Sequence, residues 1–283
     1  MIRFLQGEIP DFTYDQAKVV VLPLGYERST SYVKGTAKAP EAVLAASPYL
    51  ETYDEELDAE PFLVGIYTHP EPDLENEPKH DFPLITETVA RLLRDDKFVL
   101  TIGGEHSITF PVVRAFKKKF DRLSVVQFDA HADLRHSYEG SIYSHASVMH
   151  RVLEITDDFL QIGIRSLSKE EAHLIRQKQL RTVFAHQMYS GWPFGMIDTL
   201  QENVYITFDV DFFDPALVPA TGTPEPGGFF WPETIKFLKE LFAKKRVVGA
   251  DVVELSPQPG MHAADFTVAR LLYKMMGYKF CQK

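Results

Sequence analysis

Short apolar runs separated by longer stretches of helical periodicity recur along the chain, and this alternation constrains the fold more than any other feature of the sequence. The runs are Val19–Leu24, Phe62–Ile66, Phe98–Ile102, Leu123–Phe128, Phe159–Ile164, Thr182–Phe184, Val204–Phe208 and Val247–Val253. Most are apolar at successive positions, the pattern of strands covered on both faces. Between them, Phe82–Arg94, Thr109–Phe120, Lys169–Gln179, Pro232–Ala243 and Ala264–Met276 read as helices. Strand, helix, strand in succession implies a mainly parallel sheet with helices on both sides, and in such sheets ligands bind beyond the carboxyl ends of the strands. No repeat, low-complexity tract or linker divides residues 1–283, so a single domain is expected. The proline- and acid-rich stretch His69–His80 reads as exposed surface loop. Pro215–Gly228, with four prolines and three glycines, follows a candidate site strand and reads as a loop that shapes a mouth.

Charge and cysteine usage exclude several classes. The chain has 30 basic and 40 acidic residues, a formal charge of -10, and no basic stripe, which argues against a nucleic-acid partner. Cys281 is the only cysteine, so neither an intrachain disulfide framework nor a cysteine-rich zinc site is available. Met1–Ala17 intersperses Arg3, Glu8, Asp11 and Asp15 among its apolar residues and lacks the apolar core of a secretory signal. No apolar run approaches the roughly 20 residues of a membrane helix. A cytoplasmic protein without a membrane partner is the expectation.

Three strand ends carry unusual polar residues. The run ending at Ile102 stops at Gly103-Gly-Glu-His-Ser107, which places His106 on a glycine-permitted turn, with Ser107 or Thr109 available to cap the next helix. The run ending at Phe128 enters Asp129-Ala-His-Ala-Asp-Leu-Arg135, and the run ending at Phe208 enters Asp209-Val-Asp211. In extended chain, alternate side chains share a face, so Asp129, His131 and Asp133 can converge, as can Asp209 and Asp211. Singly these motifs have ordinary readings, as a turn histidine or as aspartates that cap and form turns. Together they bring four carboxylates and two imidazoles to strand ends. Burying isolated carboxylates costs several kcal/mol each, so cations are required, and two divalent ions neutralise four carboxylates. An oxygen-rich set with two imidazoles suits manganese better than zinc; nickel, cobalt and iron fit the same ligand types.

At these residues the sequence resembles the ureohydrolase family, which includes agmatinase, arginase, guanidinobutyrase and formiminoglutamase. The resemblance runs through Gly103-Gly-Glu-His-Ser107, Phe128-Asp-Ala-His-Ala-Asp133, Ser144-His-Ala-Ser147, Phe208-Asp-Val-Asp-Phe-Phe-Asp-Pro215, Gly222-Thr-Pro-Glu-Pro-Gly-Gly228 and Asp251-Val-Val-Glu-Leu-Ser-Pro257. It implies a three-layer α/β/α sandwich, a trimer or hexamer, and two Mn2+ per subunit. One ion would be held by His106, Asp129, Asp133 and Asp209, the other by His131, Asp129, Asp209 and Asp211. The implied chemistry is attack of a metal-bridging hydroxide on a guanidinium carbon. Glu254 matches the carboxylate that holds the guanidinium, for which its two oxygens suit a paired hydrogen bond. His145 matches the proton donor to the leaving amine, with His136 and His150 as nearby competitors in sequence. Glu105 departs from the family pattern, where aspartate is frequent.

The expected substrate is a small cationic guanidino compound. Members acting on arginine carry an asparagine just after Asp-x-His-x-Asp, and Leu134-Arg-His-Ser-Tyr-Glu-Gly140 lacks it, so agmatine is the leading expectation, with Glu225 or Glu139 as a candidate partner of its ammonium group. Guanidinobutyrate, arginine and guanidine are alternatives within the family. A non-catalytic metal-binding homologue and a single-zinc deacetylase-like amidohydrolase are alternatives outside that chemistry.

Overall fold

Alternation inside each apolar run decides which side of the sheet a residue covers. Val19 and Val21 join one core with Phe98, Leu100 and Ile102, whereas Val20, Leu22 and Leu24 join a second core with Val99. The computed structural model describes residues 2–282. Its strands are β1 (Val19–Leu24), β2 (Ile66–Thr68), β3 (Phe98–Gly103), β4 (Leu123–Phe128), β5 (Phe159–Ile164), β6 (Arg181–Phe184), β7 (Asn203–Asp209) and β8 (Arg246–Val253). All pair in parallel, in the spatial order β2-β1-β3-β8-β7-β4-β5-β6.

The helices are α1 (Ala39–Ala46), α2 (Pro78–Arg94), α3 (Thr109–Lys119), α4 (Val148–Leu153), α5 (Lys169–Lys178), α6 (Ala185–Met188), α7 (Trp231–Lys244) and α8 (His262–Phe280). Apolar residues of α1, α6, α7 and α8 fill the first core, and those of α2, α3, α4 and α5 fill the second. Two cores separated by one sheet make the three-layer α/β/α sandwich expected from the sequence. No helix among the described residues is long and apolar enough to cross a membrane.

Several boundaries differ from the sequence reading, and two of the differences have clear local reasons. Phe62–Ile66 is not a strand: Pro61–Val64 forms a 3-10 turn closed by Gly65 at φ 80°, and the strand begins only at Ile66. Pro61 supplies the fixed φ of that turn. Helix α2 begins at Pro78 instead of Phe82, because proline suits the first helical position and the Asp81 carboxylate accepts from the Glu75 and Glu77 N–H groups. The last residues of the supposed loop His69–His80 therefore belong to a helix. The short helices α1, α4 and α6 lacked a clear periodic signal.

Gly104, at the turn after β3, brings backbone against backbone. An added Cβ would sit 2.0 Å from the Tyr26 carbonyl oxygen. Gly104→Ala should therefore lower folding stability by about 1–3 kcal/mol or more, as overpacking does. Denaturant unfolding of the metal-free protein measures this, and an unchanged midpoint would contradict the contact.

Candidate metal centre

β3, β8, β7 and β4 are consecutive neighbours in the sheet, so residues beyond their carboxyl ends meet although they are distant in sequence. β3 delivers His106, β4 delivers Asp129, His131 and Asp133, β7 delivers Asp209 and Asp211, and β8 delivers Glu254. Simple strand alternation does not produce the convergence. β4 ends at Phe128, Asp133 takes a left-handed φ of 53°, and Asp211 lies in a 3-10 turn over Val210–Phe212.

The six side chains predicted from sequence come together. His106 Nδ1 lies 3.0 Å from Asp133, 3.2 Å from Asp129 and 3.4 Å from Asp209. His131 Nδ1 lies 2.8 Å from Asp211 and 3.7 Å from Asp129. Two groups, His106/Asp129/Asp209 and Asp129/His131/Asp211, each offer ligand atoms within 4.8 Å of one another, and Asp129 belongs to both. His106 Nδ1 is buried and makes no well-formed hydrogen bond, although three carboxylates surround it. An imidazole nitrogen ringed by three carboxylates at these distances is placed to share a cation with them. This donor set of aspartate oxygens and two imidazoles fits a pair of divalent ions.

A cavity of about 180 Å³ opens onto His131, Asp133, Asp209 and Asp211 and is also lined by Ser31, Arg135, Tyr138, His145, Thr223 and Glu254. Glu254 sits at φ 63°, a strained backbone for a non-glycine residue, and its N–H donates to the Gly104 carbonyl at 2.9 Å. One of its carboxylate oxygens accepts from the His106 N–H at 2.7 Å. His145 Nδ1 lies 4.0 Å from Glu254, its Nε2 is 2.9 Å from Ser31 Oγ, and its backbone N–H donates to Ser29 Oγ. His136 and His150 are not in the cavity; they pack edge to face on each other, with His150 Nδ1 at the Leu134 carbonyl. His145 is thus the histidine that faces the cluster.

Glu105 reaches away from the cavity. Its carboxylate accepts from the Arg28 and Ser29 N–H groups and from the Ser29 and Ser107 hydroxyls, so it holds the 26–31 loop over the site. Ser107 and Thr109 do not cap α3 as the sequence suggested. Ser107 donates to Glu105, and Thr109 donates to Asp251. Glu225 stands 3.8 Å from His131 Nε2, and Glu139 occupies an exposed turn at φ 47°. The loop that follows β7 does border the cavity, through Thr223. Sequence reasoning did not single out Ser31, Arg135 or Tyr138 as lining residues, since their approach depends on loop paths. A larger groove of about 720 Å³ between α2 and α3 holds Arg94, Arg114, Lys118 and Lys119. It lacks a histidine or aspartate cluster, and Arg94, Lys118 and Lys119 complement the negative carboxyl ends of their helices.

Crowding of like charges dominates the electrostatics. Burial, with Asp133 and Asp211, pushes Asp129 up to about 7 against the pull of His106. Burial and the neighbouring Asp211 and Asp129 also raise Asp209 well above the carboxylate range. For His131 burial acts downward, but Asp211 and Asp129 outweigh it and raise the group to about 11. Asp211 resists burial through His131 and the Ala130 N–H and falls to about 2. Burial lowers His145 despite the nearby Asp133 and Glu105, and burial raises Glu254 well above its ordinary value.

A parallel sheet between two helical layers, with paired imidazole and carboxylate groups beyond its central strands, defines a metallohydrolase architecture. The chain belongs to the arginase family, which it matches over residues 17–277, and is a ureohydrolase of that family. It is 44% identical to the N(1)-aminopropylagmatine ureohydrolase of Synechocystis sp., over 98% of this chain and 93% of that protein. It is 39% identical to the N(1)-aminopropylagmatine ureohydrolase of Thermus thermophilus, over 99% of this chain and 96% of that protein. Among solved structures it is similar to the agmatine ureohydrolase of Thermoplasma volcanium, with a TM-score of 0.87 and 30% identity over 95% of this chain and 92% of that one.

Proton linkage follows from the shifted groups. Asp129 has a folded value of about 7, above its ordinary 3.8, so its protonated form stabilises the metal-free protein. That contribution is full below about pH 4 and lost as pH rises through about 7. His131, raised to about 11, must also release its proton to bind a metal. Metal binding should therefore release protons at pH 6, and fewer at pH 8, where Asp129 is already ionised. Calorimetry in buffers of different ionisation enthalpy measures the release; none at pH 6 would contradict these shifts.

Proposed function

We propose that the chain hydrolyses N(1)-aminopropylagmatine, and the shorter agmatine less efficiently, releasing urea and the corresponding polyamine. The observation that carries this reading is the double imidazole and carboxylate group sharing Asp129, with Glu254 and His145 facing it across one small cavity. Support for the substrate comes from two relatives of that name at 44% and 39% identity over almost the whole chain. The agmatine ureohydrolase at 30% identity supports agmatine as the shorter alternative. Manganese is the ion we propose, with His106, Asp129, Asp133 and Asp209 around one ion and His131, Asp129, Asp209 and Asp211 around the other. A homo-oligomer, trimer or hexamer, belongs to the same proposal.

When bound, two divalent ions supply the Lewis acidity that ionises water near neutral pH. The remaining work falls to the side chains of this chain. Glu254 accepts two parallel hydrogen bonds from the guanidinium, and pairing with that cation stabilises the carboxylate against its burial. His145 gives a proton to the departing amine nitrogen, so that the hydroxyl of water ends on the carbon and its proton on the leaving group. An imidazole can take up and pass on a proton near neutrality, and burial, which lowers His145, favours its neutral form between turnovers. Ser31 fixes the far nitrogen of the ring.

Arg135 favours a second reading. Arg135 lines the cavity, and its guanidinium stacks over the Tyr138 ring at 5.1 Å. Its nearest carboxylate, on Glu171, is 3.9 Å away, too far for a direct hydrogen bond. A cation there suits a guanidino acid with a carboxylate tail. Urea release from N(1)-aminopropylagmatine, agmatine, 4-guanidinobutyrate and arginine separates the readings. We expect kcat/KM to be highest for N(1)-aminopropylagmatine; a preference for 4-guanidinobutyrate that disappears in Arg135→Ala would overturn the polyamine assignment.

Replacing Glu254 by glutamine removes the charge that pairs with the guanidinium and keeps the shape. Turnover should fall by about 100-fold or more, corresponding to a loss of roughly 2.7 kcal/mol of transition-state stabilisation. Steady-state kinetics of Glu254→Gln reads this, and activity within threefold of the parent would remove Glu254 from the mechanism.

A further inference from the structure

Directly beneath the candidate ligands, a row of polar side chains crosses the sheet in register. Thr101 of β3 pairs with Asp251 of β8, Asp251 with Thr207 of β7, Thr207 with Gln127 of β4, Gln127 with Gln161 of β5, and Gln161 with Thr182 of β6. Asp251 is the charged member of the row. It is completely buried, and among the described residues no lysine, arginine or histidine lies within ion-pair distance of it. Three hydroxyls approach it instead: Tyr205 at 2.6 Å, Thr207 at 2.7 Å and Thr109 at 3.0 Å. A buried carboxylate without a cation is expensive to keep, and one at the back of a metal centre calls for an explanation.

The hydrogen bonds of Thr207 supply one. An ionised carboxylate accepts and does not donate, so the single hydroxyl proton of Thr207 goes to Asp251 at 2.7 Å in preference to the Thr109 hydroxyl at 3.2 Å. Thr207 Oγ1 also lies 2.8 Å from His106 Nε2, and with its proton committed it can only accept there. Nε2 must then carry a hydrogen, and in the neutral imidazole that binds a metal Nδ1, ringed by Asp129, Asp133 and Asp209, is the nitrogen with the lone pair. Metal-ligating histidines usually donate their other N–H to a carboxylate or carbonyl, which fixes tautomer and ring orientation. Here one threonine hydroxyl extends that arrangement.

We propose that Asp251 is a positioning residue for the metal centre: acting through Thr207, it fixes the His106 hydrogen on Nε2 and turns Nδ1 into a ligand for the ion shared with Asp129 and Asp209. The second imidazole is oriented differently, since His131 Nε2 faces Glu225 at 3.8 Å without an intervening hydroxyl. The two ion positions therefore depend on different supports, and loss of Asp251 weakens one of them selectively. In Asp251→Asn the amide can donate to Thr207, which reverses the chain and lets Thr207 donate to Nε2. Thr207→Val cuts the chain, whereas Thr207→Ser preserves it.

The inference rests on the reading of these residues as metal ligands, and one experiment separates the two. Equilibrium dialysis against Mn2+ with elemental analysis gives the number and affinity of bound ions for each protein. Wild type and Thr207→Ser should bind two ions, and Asp251→Asn and Thr207→Val should bind one of them about 10- to 100-fold more weakly with the other unchanged. Wild type binding fewer than two ions would sink the underlying reading. Two ions bound normally by every variant, or both ions weakened equally in Thr207→Val, would overturn the role of Asp251 alone. Should Asp251→Asn fail to fold, 15N NMR of wild type loaded with diamagnetic Cd2+ decides: the proposal requires the His106 proton on Nε2 and the metal on Nδ1, and the reverse overturns it.

Discussion

Mutual repulsion among Asp129, Asp133, Asp209 and Asp211 is the constraint on which the rest of the site depends. All four are buried, and two imidazoles cannot balance four negative charges. The shifted groups record the conflict: Asp129 and Asp209 are driven toward their protonated forms while His131 is held as a cation. Protons can offset the charge only by occupying the atoms that would otherwise bind metal. Divalent cations resolve it without that loss, because they bring more positive charge into the space between the oxygens.

Holding such a cluster demands a rigid support, and the sheet provides it. The four strands that deliver the residues are adjacent, all parallel, and enclosed by two apolar cores. Strain concentrates where the chain leaves them. Asp133 and Glu254 adopt left-handed backbone, each at a cost of about 1–3 kcal/mol. Local hydrogen bonds hold both: the Asp133 carbonyl accepts from Met149 and His150, and the Glu254 N–H donates to Gly104. One layer below, Asp251, Thr207, Gln127 and Gln161 convert strand register into side-chain orientation. Gln161 donates to Gln127, and Gln127 donates to Asp129 at 2.7 Å, a second connection from the sheet interior to a candidate ligand.

Much of this was legible because chemistry-bearing residues stand immediately after apolar runs. His106, Asp129, His131, Asp133, Asp209 and Asp211 could be named from their positions, and their convergence follows from the parallel sheet that the alternation implied. Strand alternation does not account for the convergence: Asp133 and Asp211 reach the cluster through a left-handed residue and a 3-10 turn, which periodicity does not reveal. The support beneath the site was hidden for a deeper reason. Asp251 faces Thr207 only through the pairing of β7 with β8, and strand neighbours so distant in sequence cannot be read from local pattern. The same limit hid Arg135 and Ser31 in the cavity wall, the proximity of Glu225 to His131, and the use of Glu105 to tether the 26–31 loop.

These features support the proposed reading, in which the fold concentrates negative charge beyond four central strands for two cations to complete, and Glu254 would hold a guanidinium at the cavity. Anomalous diffraction from crystals grown with Mn2+ tests it most directly. The account predicts two anomalous peaks, roughly 3.5–4 Å apart as in other two-metal sites, one beside His106 Nδ1 and the other beside His131 Nδ1, with Asp129 touching both. A single peak, or none within coordination distance of these aspartates, would contradict it.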